Sequence, residues 1–180
     1  KHLFGSDPYG RSATPESLAN LEIQTLTNFY QATWVQKMPT IFISGKISER
    51  EIKVLNQQFG RIAFEQKNNS IAHALTCQKA IQHREIKENA LQSSIRVGQE
   101  GINRSNPDYF GFSMLNTIIG GFFGSRLQKN IREEKGFTYG ISSSLAPMHR
   151  GGYWVVGTDV KNENVEETLS EIKKEVRIIQ

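Results

Sequence analysis

The stretch Gly120–Ser144, GGFFGSRLQKNIREEKGFTYGISSS, restricts the fold of this chain more than any other. Gly120, Gly121 and Gly124 interrupt an apolar helical pattern. A heavily charged segment follows, with Leu127 and Ile131 on its inward side, Ser125 as a candidate cap and Gly136 as its stop. Beyond Gly136 the residues read as a strand in which Phe137, Tyr139 and Ile141 share one face by the two-residue repeat. A helix that ends on one glycine and reverses into a strand must hold its last turn beside the start of that strand. Arg132, one turn before the helix end, and Tyr139 are thereby brought within reach of one cleft. From spacing alone two readings stay open: Arg132 and Tyr139 as donors in a site, or an arginine paired with a glutamate and a tyrosine in the core.

The glycines themselves raise the question of a phosphate cradle, because a glycine-rich turn before a helix exposes N–H groups at a positive dipole end. A P-loop requires G-x-x-x-x-G-K-[ST], and a dinucleotide fingerprint requires G-x-G-x-x-G directly after a strand. Neither pattern is present. The glycines are expected to end one helix and let the next pack closely against it.

Around this stretch the pattern alternates between helix and strand. Thr14-Pro15-Glu16-Ser17 is a helix start, with a capping threonine, a proline at the first helical position and a carboxylate at the positive end. Leu26, Phe29, Tyr30 and Trp34 continue a helical period. TIFISG, Thr40 to Gly45, is an apolar run of strand type. Ser48 and Glu51 make a capping box ahead of Ile52, Leu55 and Phe59, and Gly60 stops that helix. Residues 61–92 lack a clean period and read as a connector with room for a short strand. SSIRVG, Ser93 to Gly98, is a strand. Asn106-Pro107-Asp108 starts a helix carrying Phe110, Met114, Leu115, Ile118 and Ile119, whose wide apolar wrap predicts a central position. A hairpin follows, FTYGISSSL and GGYWVVGTDV joined by Ala146–Arg150, and then a helix with Val165, Leu169, Ile172 and Val176 facing one way. The class predicted is α+β, with a mixed, largely antiparallel sheet and helices packed on one face.

Composition removes several functions. The 180 residues, 37% hydrophobic and 22% charged, fit one ordinary domain or two small ones. No apolar run approaches the roughly 18 residues of a membrane helix, and the abrupt start KHLFGSDPYGRS lacks a signal peptide's apolar stretch, so the chain reads as cut from something longer or already processed. The net charge of +4 comes from 22 basic and 18 acidic residues mixed along the chain, without the basic stripe that nucleic-acid binding requires. Cys77 is the only cysteine, which excludes an internal disulfide and a cysteine-rich metal cluster.

Other candidate sites are weak. His2, His73, His83 and His149 are scattered, with neither H-x-x-E-H nor H-E-x-x-H, and His83-Arg84-Glu85 lacks the P-C-x-x-C that a zinc deaminase adds. Asp108 and Asp159 show no carboxylate partner. The run Ser142 to Ser144 has no attached base and reads as the exposed side of a strand.

The ordered pattern S-R-L, R-E-x-x-G, Y-G inside LNTIIGGFFGSRLQKNIREEKGFTYGISSS, preceded by NPDYFGF, resembles the pitrilysin/insulinase family of zinc metallopeptidases, the inverzincins. PYGRSATPESLANL, NFYQATW and IFISGKI are similar to that family as well, with Lys46 where the family often has an aspartate. The resemblance implies two related α+β copies, of which the first holds zinc through H-x-x-E-H. That motif is not in this sequence, so the chain resembles the C-terminal-type, non-zinc-binding part: no cofactor in this chain, with zinc expected in a missing domain or partner. It implies further that Arg132 and Tyr139 hold and polarise the scissile carbonyl of a peptide or protein substrate in the intact enzyme, and that this chain alone is inactive. Residues 1–60 then correspond to the tail of the first copy, 61–92 to a connector, and 93–180 to the head of the second. One composite, circularly permuted unit would result if strand Thr40–Gly45 joined the sheet of Ser93–Gly98. The alternative is a non-catalytic partner or structural subunit of a paired peptidase-like complex. The expected partners are therefore a peptide or protein substrate and the zinc-bearing domain or partner subunit, with no nucleic acid and no membrane segment.

Overall fold

A computed structural model describes residues 2–35, 38–62, 77 and 82–179. The chain divides into two compact units, Lys1–Arg11 with Ala74–Gln180, and Ser12–His73. The connector expected over 61–92 lies for the most part outside the described residues.

Helices dominate the Ser12–His73 unit. α1 (Pro15–Ala19) is closed by a reciprocal capping box, Thr14 accepting from the Ser17 N–H while the Ser17 hydroxyl accepts from the Thr14 N–H. α2 (Ile23–Tyr30) runs on through a π-wound turn, Gln31–Val35. α3 (Glu49–Phe59) starts at the Ser48–Glu51 box and ends at Gly60. Hydrogen bonds from the Ser48 side chain and N–H hold the Glu51 carboxyl below the usual carboxylate range. These local signals settle helix position, but no described residue of this unit is buried. Ile23, Leu26, Phe29 and Trp34 remain open to solvent. Thr40–Gly45, expected as a strand, forms none: Phe42 is 92% exposed, and an apolar run without a neighbouring strand has no ladder to join.

The other unit is built on a three-stranded sheet of order β1-β3-β2, from β1 (Gln92–Gly101), β2 (Ile141–Pro147) and β3 (Gly152–Lys161). Both pairings are antiparallel, with Ile95 and Ile141 flanking Thr158 across the sheet. Alternation along β3 sends Trp154, Val156, Thr158 and Val160 to one buried face. Three helices lie on that face. They are α4 (Tyr109–Asn116, prolonged by π-wound Thr117–Gly121), α5 (the π-wound Gln128–Glu134) and α6 (Val165–Arg177). Ile119, Leu127, Ile131 and Ile172 complete the core with Ile95 and Ile141. The class is thus α+β with an antiparallel sheet.

Two expectations are corrected here. α4 is not central: Leu115 and Phe112 pack on the core, but Phe110, Met114 and Ile118 face out, because only one side of the helix meets the sheet. The close packing assigned to the glycines is real, but its partner is a strand. A Cβ on Gly120 would stand 2.6 Å from the Ser143 backbone nitrogen of β2. That approach is tied off by the Ser143 hydroxyl, donating to the Asn116 carbonyl at 3.1 Å, and by the Trp154 indole N–H, donating to Asn116 Oδ1 at 2.9 Å.

Candidate functional site

α5 carries Arg132 and is wound with the wider π turn; the Lys135 N–H closes on the Asn130 carbonyl five residues back. Such turns recur at functional positions. Leu127 and Ile131 anchor its inner side with no solvent exposure. The Ser125 hydroxyl does not cap: it is buried and has no partner among the described residues. Gly136, at φ +65, supplies the left-handed residue that ends the helix, and the Phe137 N–H returns to the Ile131 carbonyl at 3.1 Å.

The segment after Gly136 departs from the expected strand, since β2 begins only at Ile141. Residues 137–140 form a loop pinned by two threonines. The Thr138 hydroxyl accepts from the Gly140 N–H at 3.1 Å and lies 2.8 Å from the Asp159 carbonyl, to which it can donate. The Thr158 hydroxyl, from the buried face of β3, reaches the Gly140 carbonyl at 3.0 Å. With the two-residue repeat broken, Phe137 packs on the core and Ile141 is buried, whereas Tyr139 is 96% exposed. The core-filling reading of Tyr139 is therefore excluded in this structure.

Arg132 stands beside it. Its Nε donates to the Tyr139 main-chain carbonyl at 3.0 Å, its guanidinium carbon lies 4.2 Å from the centre of the Phe123 ring, and Glu133 approaches Nη1 at 3.8 Å. The side chain of Arg132 is about one-third exposed. The structure thus joins Arg132 to residue 139 directly, through the backbone of the loop. Sequence reading singled out both positions but not Phe123 and Thr138, whose contacts depend on a turn and on a strand twenty residues away.

The back of α5 is fixed to α6 by charge. Asn130 Nδ2 donates to Glu171 and Glu175 at 2.7 and 2.8 Å, Arg126 pairs with the buried Glu175 at 2.8 Å, and Lys135 pairs with Glu167 at 2.8 Å. The Asn130 hydrogen bond, followed by that of Lys174, holds the Glu171 carboxyl below the usual range.

Of the remaining candidates, His73 lies outside the described residues. Asp159 pairs loosely with Arg96 at 3.7 Å, and Ser143 serves α4. His2 and His83 stack at 4.1 Å between ring centres. Among the described residues no three His, Cys, Asp or Glu side chains gather as metal ligands, so the donor set does not fit zinc. No helix in those residues is long and apolar enough to cross a membrane. Burial, reinforced by Glu100, pushes the Cys77 thiol up to about 11, far from the thiolate a nucleophile needs. The open grooves along α3, near Ile47, Lys53 and Arg61, and beside α4, near Ile102, Pro107 and Phe112, include neither Arg132 nor Tyr139.

Known proteins share the sequence pattern and fold of this chain. Residues 20–180 match the family described as "Peptidase M16 inactive domain". The chain is 26% identical over 187 aligned positions to the uncharacterized zinc protease YmxG of Bacillus subtilis strain 168, covering 97% of this chain and 44% of that protein. It is 19% identical to the probable inactive metalloprotease YmfF of the same organism, over 97% of this chain and 41% of the relative. The crystal structure of a peptidase M16 inactive domain from Pseudomonas fluorescens superposes with a TM-score of 0.82 at 25% identity, covering 98% of this chain and 43% of the other. A conserved protein from Enterococcus faecalis V583 superposes with a TM-score of 0.72 at 27% identity, over 92% and 39%. The chain spans less than half the length of these relatives. It belongs to the peptidase M16 inactive-domain family.

Proposed function

We propose that this chain supplies the substrate-positioning side of a zinc-dependent peptidase, with Arg132 and Tyr139 as donors to the carbonyl oxygen of the peptide bond to be cleaved. The single observation that carries this reading is the pairing of an almost fully exposed phenol with an arginine bonded to the same residue's main chain. A tyrosine left in solvent contributes little to the core, and the Thr138–Thr158 hydrogen bonds hold the loop that carries it. A guanidinium and a phenol can both donate to an oxygen gaining negative charge, and the carboxylate beside Arg132, that of Glu133, stands 3.8 Å from Nη1. Fixed donors of this kind contribute about 3 kcal/mol to a transition state in a dry site.

Among the described residues no side chains gather as zinc ligands, and in this reading the metal belongs to another domain. Residues 1–60 correspond to the tail of a first peptidase-like copy, 61–92 to a connector and 93–180 to the head of the second. The unburied apolar sides of α2 and α3 support that division, since such helices gain their stability from a fold that covers them. The test is to assay this chain alone, the zinc-bearing part alone, and the two together with unstructured peptides. Chelator-sensitive hydrolysis only when both are present is expected. Hydrolysis by this chain alone, or a zinc-bearing part fully active without it, would overturn the reading.

A further inference from the structure

We infer that Phe123 is a positioning residue for Arg132, holding the guanidinium in the one orientation that presents its donors to a substrate. This inference rests on the proposed role of Arg132. Phe123 has no packing reason to be aromatic: it is 65% exposed and stands outside the core cluster. Its place is nevertheless fixed. The Ser125 N–H closes a tight turn on the Phe122 carbonyl at 3.1 Å, and Gly124 lies under the Phe122 ring, where a Cβ would meet it at 2.9 Å. With Phe122 laid over Gly124, the turn projects Phe123 toward α5, and its ring centre reaches 4.2 Å from the Arg132 guanidinium carbon.

Two restraints then act on Arg132. The hydrogen bond from Nε to the Tyr139 carbonyl lies in the guanidinium plane and fixes its edge. The Phe123 ring, its centre 4.2 Å from the guanidinium carbon, attracts the cation over its own face and holds it there. Arginine is long and flexible, and each restraint alone leaves it a family of orientations. Both together narrow that family, so that the Nη donors are ordered before a substrate arrives. The same contact buries part of a cation against a π face, where attraction survives salt better than an exposed ion pair such as Arg132–Glu133.

The experiment compares Phe123→Leu and Phe123→Tyr in the complete zinc-loaded protein, reading peptide hydrolysis and the Arg132 Nε–H resonance of arginine-labelled protein. Leucine keeps apolar bulk but removes the π face, and at an exposed position it does not threaten folding. Expected for Phe123→Leu is a kcat lowered about threefold to fivefold with KM within about twofold, and loss of the ring-induced displacement of the Arg132 resonance. Phe123→Tyr should restore both. An unmoved Arg132 resonance in Phe123→Leu would overturn the inference, as would an unchanged kcat while Arg132→Lys is impaired. If Arg132→Lys itself cleaves at the normal rate, the proposed role of Arg132 fails instead, and the resonance still decides whether Phe123 holds the side chain.

Discussion

Replacing Gly120 by alanine sets two physical effects against each other with opposite signs. Gly120 lies in the π-wound end of α4, and helix propensity alone predicts that alanine there stabilises by up to about 1 kcal/mol. Its new methyl, however, would sit 2.6 Å from the Ser143 nitrogen, 2.8 Å from its Oγ and 3.0 Å from its Cβ. The first of these is backbone in the middle of a paired strand, opposite Val156, and cannot rotate away. Restoring ordinary contact requires the end of α4 to lift from β2. That movement strains the Ser143–Asn116 and Trp154–Asn116 hydrogen bonds, each worth about 1 kcal/mol. Overpacking adds about 1–3 kcal/mol. Against the propensity gain, the net expectation is a loss of about 2–4 kcal/mol. Urea unfolding followed by Trp fluorescence measures it, with a lowered midpoint at unchanged slope. A midpoint equal to or above that of the parent would refute the close approach and leave propensity as the ruling effect.

Other consequences can be measured on the same protein. Glu171 has its carboxyl pKa depressed below the ordinary 4.5, so the native state binds fewer protons than the unfolded one. Its contribution is therefore complete above that ordinary value and is lost as pH falls through the depressed one. Glu171→Gln should flatten the fall of stability in that acid range, and an identical pH profile would contradict the Asn130–Glu171 bond. Cys77, with a thiol pushed from 9.0 to about 11, should react about a hundredfold more slowly with iodoacetamide at pH 8 in the native protein than in urea; equal rates would show the thiol to be open.

How far the sequence reveals this molecule depends on the range of the interactions involved. Thr14-Pro15, the Ser48–Glu51 box and Gly136 act within a few residues, and each starts or ends the helix it was expected to. The hairpin and the inward faces of α5 and α6 follow from short periods, and Leu127, Ile131 and Ile172 are buried accordingly. Tyr139 shows where this breaks down. The two-residue repeat put it on a strand face with Phe137 and Ile141, but Thr158 and Asp159, some twenty residues on, hold a loop there instead. Thr40–Gly45 shows the converse: strand-type residues form a strand only when a partner edge is present. At the candidate site, a motif singles out Arg132 and Tyr139 but not Phe123, Asn130 or Glu175, since a ring beside a guanidinium and a buried glutamate 45 residues from its amide leave no periodic trace.

The most direct test of the whole account is the kcat of Tyr139→Phe and Arg132→Gln in the complete, zinc-loaded protein acting on a peptide at saturation. Tyr139 is too exposed for its phenol to matter to folding, so an unchanged melting temperature is predicted for Tyr139→Phe, and a kcat reduced about a hundredfold for each variant. Turnover equal to that of the parent in both variants would contradict it.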